Sequence, residues 1–268
     1  MKNKLLSLLL VGLISLASLA VSAAVKPEVQ PVSTPKRVLF VGNSFSYYNN
    51  GIQNRVSNLI KSAGKWQAGE NRYRLKTISG GKLFEHIAGI PPLLQNSQKR
   101  QWDVMVLQEY SDGPISKKHH QSFVDSSNEI AILARKQGIE PVLFMTWAYK
   151  NDKNMTQQLA DAYTAQANKL NALVVPVGLA FALAAQANPE IELYIPDIDG
   201  FNETGQEQYN DVLKHPSVAG TYLAACMFYA SFYQQSPEGL AYVADLPSAE
   251  AKRLQQIAWL TFQQFYKG

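Results

Sequence analysis

The chain has 268 residues, of which 46% are hydrophobic, and carries a formal charge of +4. This length and composition suit one large α/β domain and are short for two full domains. The charge is weakly positive and shows no dense patch of Lys and Arg, which excludes nucleic acid as an expected partner.

The first residues of the chain have the pattern of a signal peptide. Two lysines precede an almost wholly apolar stretch, residues 5–21, and small residues follow it. This stretch is short for a membrane span, and no stop-transfer charges come after it. We therefore predict that residues 1–23 are a signal peptide cleaved near Ala23 or Ala24, and that residues 24–36 are a linker. The mature protein is expected to be exported to a bacterial periplasm or exterior, without stable membrane insertion.

Beyond the linker, apolar strands alternate with amphipathic helices, and residues 37–268 are expected to form a single domain. The predicted strands are Arg37–Val41, Tyr73–Ile78, Val104–Gln108, Pro141–Thr146, Leu173–Val175 and Leu193–Ile195. The predicted helices are Gly51–Ala63, Ser122–Gln137, Thr156–Leu170, Ser217–Tyr233 and Ala249–Tyr266. Alternation of this kind is typical of a three-layer α/β/α sandwich with a central parallel sheet.

The single cysteine and three of the four histidines have structural interpretations. Cys226 lies in an apolar run and is expected in the core, and the lack of disulfides is compatible with a bacterial periplasm or exterior. His119 and His120 follow two lysines in a polar, surface-like stretch, and His86 is expected to pack or cap early in a helix. No set of His, Cys, Asp and Glu has metal-ligand spacing, so neither a metal nor a cofactor is expected.

Ser44 follows the first predicted strand, in the segment VLFVGNSFSYYNN. Open α/β folds place their chemistry at the carboxyl edge of the sheet, so a serine here is a candidate nucleophile. The alternative is an ordinary turn, because Gly, Asn and Ser are common turn residues. A nucleophilic serine needs a base, and His215 is the candidate, since His-Pro favours an extended loop and Ser217 can cap the next helix.

Three further groups could complete a site for acyl transfer. Asp211, four residues before His215, could orient the imidazole. Backbone N–H groups of the glycine turn that ends at Gly81, and the side-chain amide of Gln108 at the end of the third strand, could bind an oxyanion. Taken alone, each of these groups is a weak signal, and a turn residue, a residue near a helix start or a satisfied loop carbonyl is the more common explanation.

In chain order, these signals resemble the SGNH hydrolases, the GDSL-like esterase superfamily, whose four blocks carry Ser, Gly, Asn and His. The segment FVGNSF resembles the first block, with Asn43 where many members have Asp, and SGG resembles the glycine block. Gln108 occupies the place of the third block's asparagine, within LQExS. Together with GNSF and HPSxxGxYLAA, this form is similar to a poorly characterised bacterial branch, and the resemblance covers about residues 37–233.

The resemblance implies that Ser44 is the nucleophile and His215 the base. It also implies an oxyanion hole formed by the N–H groups of Ser44 and Gly81 and by the Gln108 side chain. The usual Asp-x-x-His block has one more residue here, between Asp211 and His215. The alternatives for the group that orients the imidazole are a backbone carbonyl, Asn210, Glu207 and Asp199.

The strand ends also predict the lining of a substrate pocket. Its expected residues are Asn43, Tyr47, Tyr48, Asn49, Tyr110 and Trp147. Phe45 and Trp147 could equally be core residues. Aromatic faces beside amides suit sugar rings as well as acyl chains, so the expected partner is a small-molecule or glycan ester, including O-acetyl groups on carbohydrates. No oligomeric state is predicted.

Two other hypotheses remain for the same sequence. One is a non-catalytic protein that binds a glycan or an ester on an SGNH fold, because a fold does not guarantee activity. The other is a phosphate-binding, flavodoxin-like module that uses the glycine turn and leaves His215 without a task. Hydrogen-bond reach between Ser44 Oγ and His215 would favour the enzyme.

Overall fold

The computed structural model describes residues 24–31, 34–94 and 101–267. Five parallel strands form the central sheet, in the order β2-β1-β3-β4-β5. These strands are β1 (Arg37–Gly42), β2 (Arg72–Thr77), β3 (Val104–Leu107), β4 (Glu140–Phe144) and β5 (Leu173–Val175). Each agrees with a predicted strand to within two residues at either end. Strands β1, β3 and β4 are buried on both faces, as their continuous apolar sequence predicts, whereas β2 is a more polar edge strand.

Helices cover both faces of the sheet, which confirms the three-layer α/β/α sandwich. The helices of the described residues are α1 (Ser44–Tyr47), α2 (Ile52–Ser62), α3 (Leu83–His86), α4 (Pro91–Leu94), α5 (His120–Arg135), α6 (Lys153–Leu170), α7 (Val177–Ala187), α8 (Val218–Tyr233) and α9 (Ser248–Lys267). Helix α7 was not predicted, because its sequence is apolar nearly throughout and shows no helical period.

Successive strand residues point to opposite layers, since side chains alternate along a strand. Phe40 and Phe144 pack with α2, α7, α8 and α9, whereas Val41 and Leu107 pack with α3, α5 and α6. Helix α8 is buried along almost its whole length and contains the buried Cys226, as expected. Both cores hold the carboxyl ends of β1 and β3 in fixed positions.

Four short strands lie outside the central sheet, between α7 and α8. They are β6 (Tyr194–Ile195), β7 (Ile198–Phe201), β8 (Glu207–Tyr209) and β9 (His215–Pro216). Strands β6 and β9 pair antiparallel and are called the ribbon below, and β7 and β8 form an antiparallel hairpin. The last predicted strand therefore exists as β6 but does not belong to the main sheet, and the hairpin was not predicted.

The predicted linker is partly in contact with the domain, and the predicted signal peptide, residues 1–23, lies outside the described residues. The Val25 N–H donates to Asp161 at 3.0 Å. Asn168 donates from its side chain to the Lys26 carbonyl at 2.9 Å. Across the described part of the chain, we find no helix with the length and apolar character needed to cross a membrane.

Candidate active site

Ser44 lies at the carboxyl end of β1, as predicted, and is the first residue of α1. Asn43 caps this helix, and its side-chain oxygen accepts the Phe45 N–H at 3.1 Å. Gly42 permits the close approach of the Gln108 side chain, because a Cβ at this position would lie 2.4 Å from Gln108 Oε1. The strand end and the cap together fix the direction of the Ser44 side chain.

His215 reaches Ser44 from the ribbon. Its partner across the ribbon is Ile195, and Ser217 caps α8 by accepting the Gly220 N–H at 3.1 Å, as predicted. The Nε2 atom of His215 lies 2.7 Å from Ser44 Oγ. The sheet edge and the ribbon therefore bring these two side chains, 171 residues apart in the chain, within hydrogen-bond distance.

The carboxylate on His215 belongs to Asp197, and the prediction of Asp211 is wrong. Oδ1 and Oδ2 of Asp197 lie 2.5 and 2.6 Å from His215 Nδ1. Asp197 stands two positions after Ile195, the residue that pairs with His215, so the ribbon itself carries the carboxylate to the imidazole. Asp211 is exposed in the loop that follows the hairpin.

The other candidates for this contact also lie elsewhere. Asn210 donates to Asp199 at 3.2 Å, and Glu207 accepts a hydrogen bond from a tyrosine on its own strand. A sequence signal for Asp197 does exist. It is the second residue after the last predicted strand, in IPDIDG, and a polar residue just after a strand is also the signal that identified Ser44.

The electrostatics of His215 favour a neutral ring that can accept a proton. Burial lowers the pKa of His215 below its ordinary value, and the nearby Lys214 lowers it further. The hydrogen bond and the charge of Asp197 act in the opposite direction and raise this pKa, without cancelling the effect of burial. With Nδ1–H donating to Asp197, Nε2 is the acceptor that faces Ser44.

Gln108 holds the loop that carries Ser44. Its Oε1 accepts the Asn43 N–H and the Ser46 hydroxyl, each at 2.9 Å. Its Nε2 donates to Asn43 Oδ1 at 2.9 Å and to the Glu109 carbonyl at 2.5 Å. Gln108 is only 1% exposed, and both amide hydrogens are already bound. The prediction that this side chain donates to an oxyanion is therefore wrong.

Asn43 and Gly81 belong to the same buried network. Asn43, predicted to line the pocket, is 2% exposed and donates from Nδ2 to the Gly81 carbonyl at 2.9 Å. The Gly81 N–H, predicted to face an oxyanion, donates to the Ile78 carbonyl at 3.0 Å. Both predictions are wrong, because these groups join the glycine turn to the serine loop. The Ser44 N–H begins a helix and so has no partner within that helix.

Glu109 is a buried carboxylate that was not among the predicted site residues. It is 2% exposed and accepts the N–H groups of Leu83 at 3.3 Å and Tyr110 at 2.6 Å. Burial raises the pKa of Glu109 to about 7. This side chain ties the start of α3, just after the glycine turn, to the end of β3.

Two of the predicted lining residues are partly exposed. The Tyr47 hydroxyl lies 2.9 Å from the hydroxyl of the exposed Ser79. Tyr110 is half-buried, and Lys82 Nζ lies 5.2 Å from the centre of its ring. These tyrosines border the glycine turn, as their places after β1 and β3 predict.

Trp147 is a core residue, and its predicted place in the pocket lining is wrong. Its ring is fully buried between Phe45 at 4.6 Å and Phe181 at 4.3 Å, so neither face is open to a ligand. The indole N–H donates to the Lys214 carbonyl at 2.9 Å. Trp147 thereby holds the backbone directly before His215.

Asn49 and Tyr48 also act on the ribbon. Asn49 is half-buried and donates from Nδ2 to the Pro216 carbonyl and to the Thr221 hydroxyl, each at 2.8 Å, so its amide nitrogen acts within the scaffold and its contact with substrate stays a prediction. The Tyr48 ring lies parallel to the His215 ring, with 4.3 Å between centroids. Among the described residues, no group of three His, Cys, Asp or Glu side chains is placed to hold a metal ion.

Comparison with known proteins identifies the fold. No protein-family model matches the chain, and no curated protein matches it. A putative SGNH hydrolase from Slackia heliotrinireducens shares 24% identity over 73% of this chain and 97% of its own, with a TM-score of 0.54. A DUF4886 family protein from Bacteroides uniformis shares 18% identity over 84% and 93%, with a TM-score of 0.58.

A third similar structure is an acetyl xylan esterase. It shares 16% identity over 72% of this chain and 98% of its own, with a TM-score of 0.53. At these identities the likeness concerns the fold, and it confirms the SGNH-like architecture expected from the sequence blocks.

Proposed function

We propose that this protein is a serine esterase that hydrolyses carboxylic esters. The observation that carries the proposal is the hydrogen-bonded chain of Ser44, His215 and Asp197, in which Nε2 lies 2.7 Å from the serine oxygen. Such a chain is recognised by geometry and not by sequence position. The rival hypothesis of a non-catalytic binding protein predicts a histidine turned away from the serine, and the 2.7 Å contact supports the enzyme.

The proposed reaction begins when Ser44 Oγ attacks the ester carbonyl carbon. His215 Nε2 takes the hydroxyl proton, and Asp197 stabilises the imidazolium that forms. The oxyanion faces the Ser44 N–H, the one predicted donor that the scaffold leaves available. When the tetrahedral intermediate collapses, the bond to the alcohol breaks and Nε2 returns its proton to the leaving oxygen. Water then attacks the acyl-serine by the same route and releases the carboxylic acid.

For the substrate, we propose an ester on a carbohydrate, such as an O-acetyl group. Tyr47 and Tyr110 are partly exposed beside the glycine turn, and hydroxyl-bearing aromatic rings suit the faces of sugars. The acetyl xylan esterase fold is a further, weaker support, since its likeness is one of fold. Comparing acetylated xylo-oligosaccharides with simple alkyl acetates would test this part of the proposal. A preference for the alkyl esters would contradict it.

The test of the chemistry is hydrolysis of an aryl acetate by the wild type, Ser44→Ala and His215→Ala. Loss of activity in both variants, with circular dichroism unchanged, is the expected result. An inactive wild type, or activity that survives in Ser44→Ala, would contradict the mechanism. The proposed steps need no metal or cofactor, so we expect activity to persist in EDTA. If EDTA abolished the activity and added Zn²⁺ or Ca²⁺ restored it, the mechanism as written would lack a metal ion.

We also propose that the chain is exported and that its partner is the ester substrate, with no nucleic acid. The basis is the signal pattern of residues 1–23. Expression of the full chain in a bacterium, followed by mass spectrometry of the periplasmic fraction and the medium, tests export. Recovery of only the uncleaved chain in the cytoplasm would contradict it.

A further inference from the structure

Tyr48 contacts each residue of the hydrogen-bonded chain described above. Its ring stacks on His215 at 4.3 Å between centroids and 7° between planes. Its hydroxyl donates to Asp197 Oδ1 at 3.3 Å. Its backbone N–H donates to the Ser44 carbonyl at 3.2 Å and closes α1. The Tyr47 ring also stacks on Tyr48, with 5.6 Å between centroids.

These ring contacts restrict the movement of the imidazole. The His215 ring stacks on the Tyr48 face and also makes a T-shaped contact with Phe45, with 5.8 Å between centroids and 79° between planes. The ribbon that carries His215 has only two residues in each strand, so its backbone pairing is short. Rotation of the ring would move Nε2 away from Ser44, and the stacked rings oppose that rotation.

The Tyr48 hydroxyl donates a hydrogen bond to Asp197, the carboxylate that binds His215. Burial, together with the charge of Asp197, raises the pKa of Tyr48 to about 12, so the phenol remains protonated and donates at working pH. Asp197 then has two donors, the phenol and the imidazole Nδ1–H. The carboxylate is thereby held in the orientation that receives the imidazole.

We propose that Tyr48 is a positioning residue that holds both His215 and Asp197 in place for proton transfer, and not a substrate contact as the sequence predicts. This inference rests on the proposed function, since it assigns a role within that mechanism. Tyr48 therefore keeps the geometry of the serine–histidine pair before proton transfer and of the histidine–aspartate pair after it.

The first test compares the kinetics of Tyr48→Phe and Tyr48→Leu. Phe keeps the stacked ring and loses the hydroxyl, whereas Leu loses both. We expect kcat to fall about 3-fold in Tyr48→Phe and roughly 10- to 100-fold in Tyr48→Leu, with KM within about twofold of wild type. A raised KM with unchanged kcat would assign Tyr48 to substrate binding and overturn the proposal.

Tyr209→Phe is the matched control. It also removes a tyrosine hydroxyl that donates to a carboxylate, that of Glu207, but it does so on the exposed hairpin. Its kcat should equal that of the wild type. A fall in kcat equal to that of Tyr48→Phe would mean that the loss is general to this segment and would overturn the specific role of Tyr48.

The second test needs no substrate and so separates this inference from the proposed function. NMR titration of ¹⁵N-labelled His215 reports its pKa, which burial lowers and which Asp197 and Lys214 also influence. Loss of the covering ring in Tyr48→Leu should raise this pKa toward the ordinary value, with little change in Tyr209→Phe. A His215 pKa that is the same in Tyr48→Leu as in the wild type would contradict the proposed contact. A shifted titration in a protein that hydrolyses no ester would support the contact and refute the esterase.

Discussion

The two halves of the candidate site are built in different ways. Ser44 stands at the end of a central strand, above a buried amide network in which Gln108 is 1% exposed. His215 stands on the two-stranded ribbon and Asp197 follows its first strand by two residues, and between them the chain makes a hairpin whose Phe201 is 64% exposed. The serine is thus placed by the core of the domain, and the histidine by a small number of contacts outside it.

Those contacts compensate for the short ribbon. Trp147 and Asn49 bind the backbone on either side of His215, and Tyr48 covers its ring. Segments with few buried contacts open with low free energy, so we expect the histidine half to open before the serine half. The following predictions test this difference.

Asp197→Asn should have the largest effect, because it removes the charge that stabilises the imidazolium and disturbs the tautomer of His215. We expect kcat to fall about 10²- to 10⁴-fold, with the fold unchanged. Asp211→Asn is the control, and we expect wild-type kinetics because that side chain is exposed and away from the imidazole. A greater loss in Asp211→Asn than in Asp197→Asn would restore the assignment expected from the sequence.

Gln108→Ala should lower both the free energy of unfolding and the rate of hydrolysis, because Gln108 holds the serine half of the site. It leaves the buried Asn43 N–H and the Ser46 hydroxyl without their acceptor. We expect the free energy of unfolding to fall by about 2–4 kcal/mol, measured by urea denaturation. Ser46→Ala removes only one of these bonds and should cost less. A Gln108→Ala protein that is slow but fully stable would point back to a direct oxyanion contact.

Glu109 should make the serine half less stable as pH rises. Its pKa lies at about 7 in the folded state against the ordinary 4.5, so the folded protein holds the extra proton between those values. The contribution of this protonation to the free energy of unfolding is complete below about pH 4.5. It is lost as the pH rises to about 7, and the loss is about 3 kcal/mol at most. The free energies of unfolding of wild type and Glu109→Gln should be measured from pH 4 to 8. We expect the wild-type value, relative to that of the variant, to fall as the pH rises through this range.

His86 is a second buried group that titrates in the same pH range. Burial lowers the pKa of His86 from 6.5 to about 4. Its folded state excludes a proton that the unfolded chain binds, so its contribution increases with pH over that range. The two trends oppose each other in the wild type, and subtraction of the Glu109→Gln curve isolates Glu109. Parallel curves for wild type and variant would contradict the raised pKa.

Phe201→Ser should have the smallest effect. Because the side chain is 64% exposed on the hairpin, we expect the free energy of unfolding to change by less than about 0.5 kcal/mol. Hydrolysis of a small aryl acetate should be unchanged as well. A large loss of kcat would mean that the hairpin controls the position of Asp197, and the two halves would then be less separate than their contacts indicate.

Local patterns in the chain were enough to identify much of the molecule. All five strands of the main sheet were predicted, and the signal was clearest for β1, β3 and β4, because a strand buried on both faces leaves a continuous apolar run. The change from strand to helix placed Ser44 at the carboxyl edge, and His-Pro before a capping Ser217 placed His215 at the start of α8. These signals involve residues that are neighbours in the sequence.

Tertiary structure alone decided which side chains meet. Asp197 contacts His215 because two strands of two residues pair across an intervening hairpin, and such short pairing leaves little trace in a sequence. Gln108 turned inward because Gly42 leaves room for its amide, so a group that sequence reasoning assigned to the substrate became part of the scaffold. Residue types predicted the chemistry available, whereas long-range packing determined which polar group each of them binds.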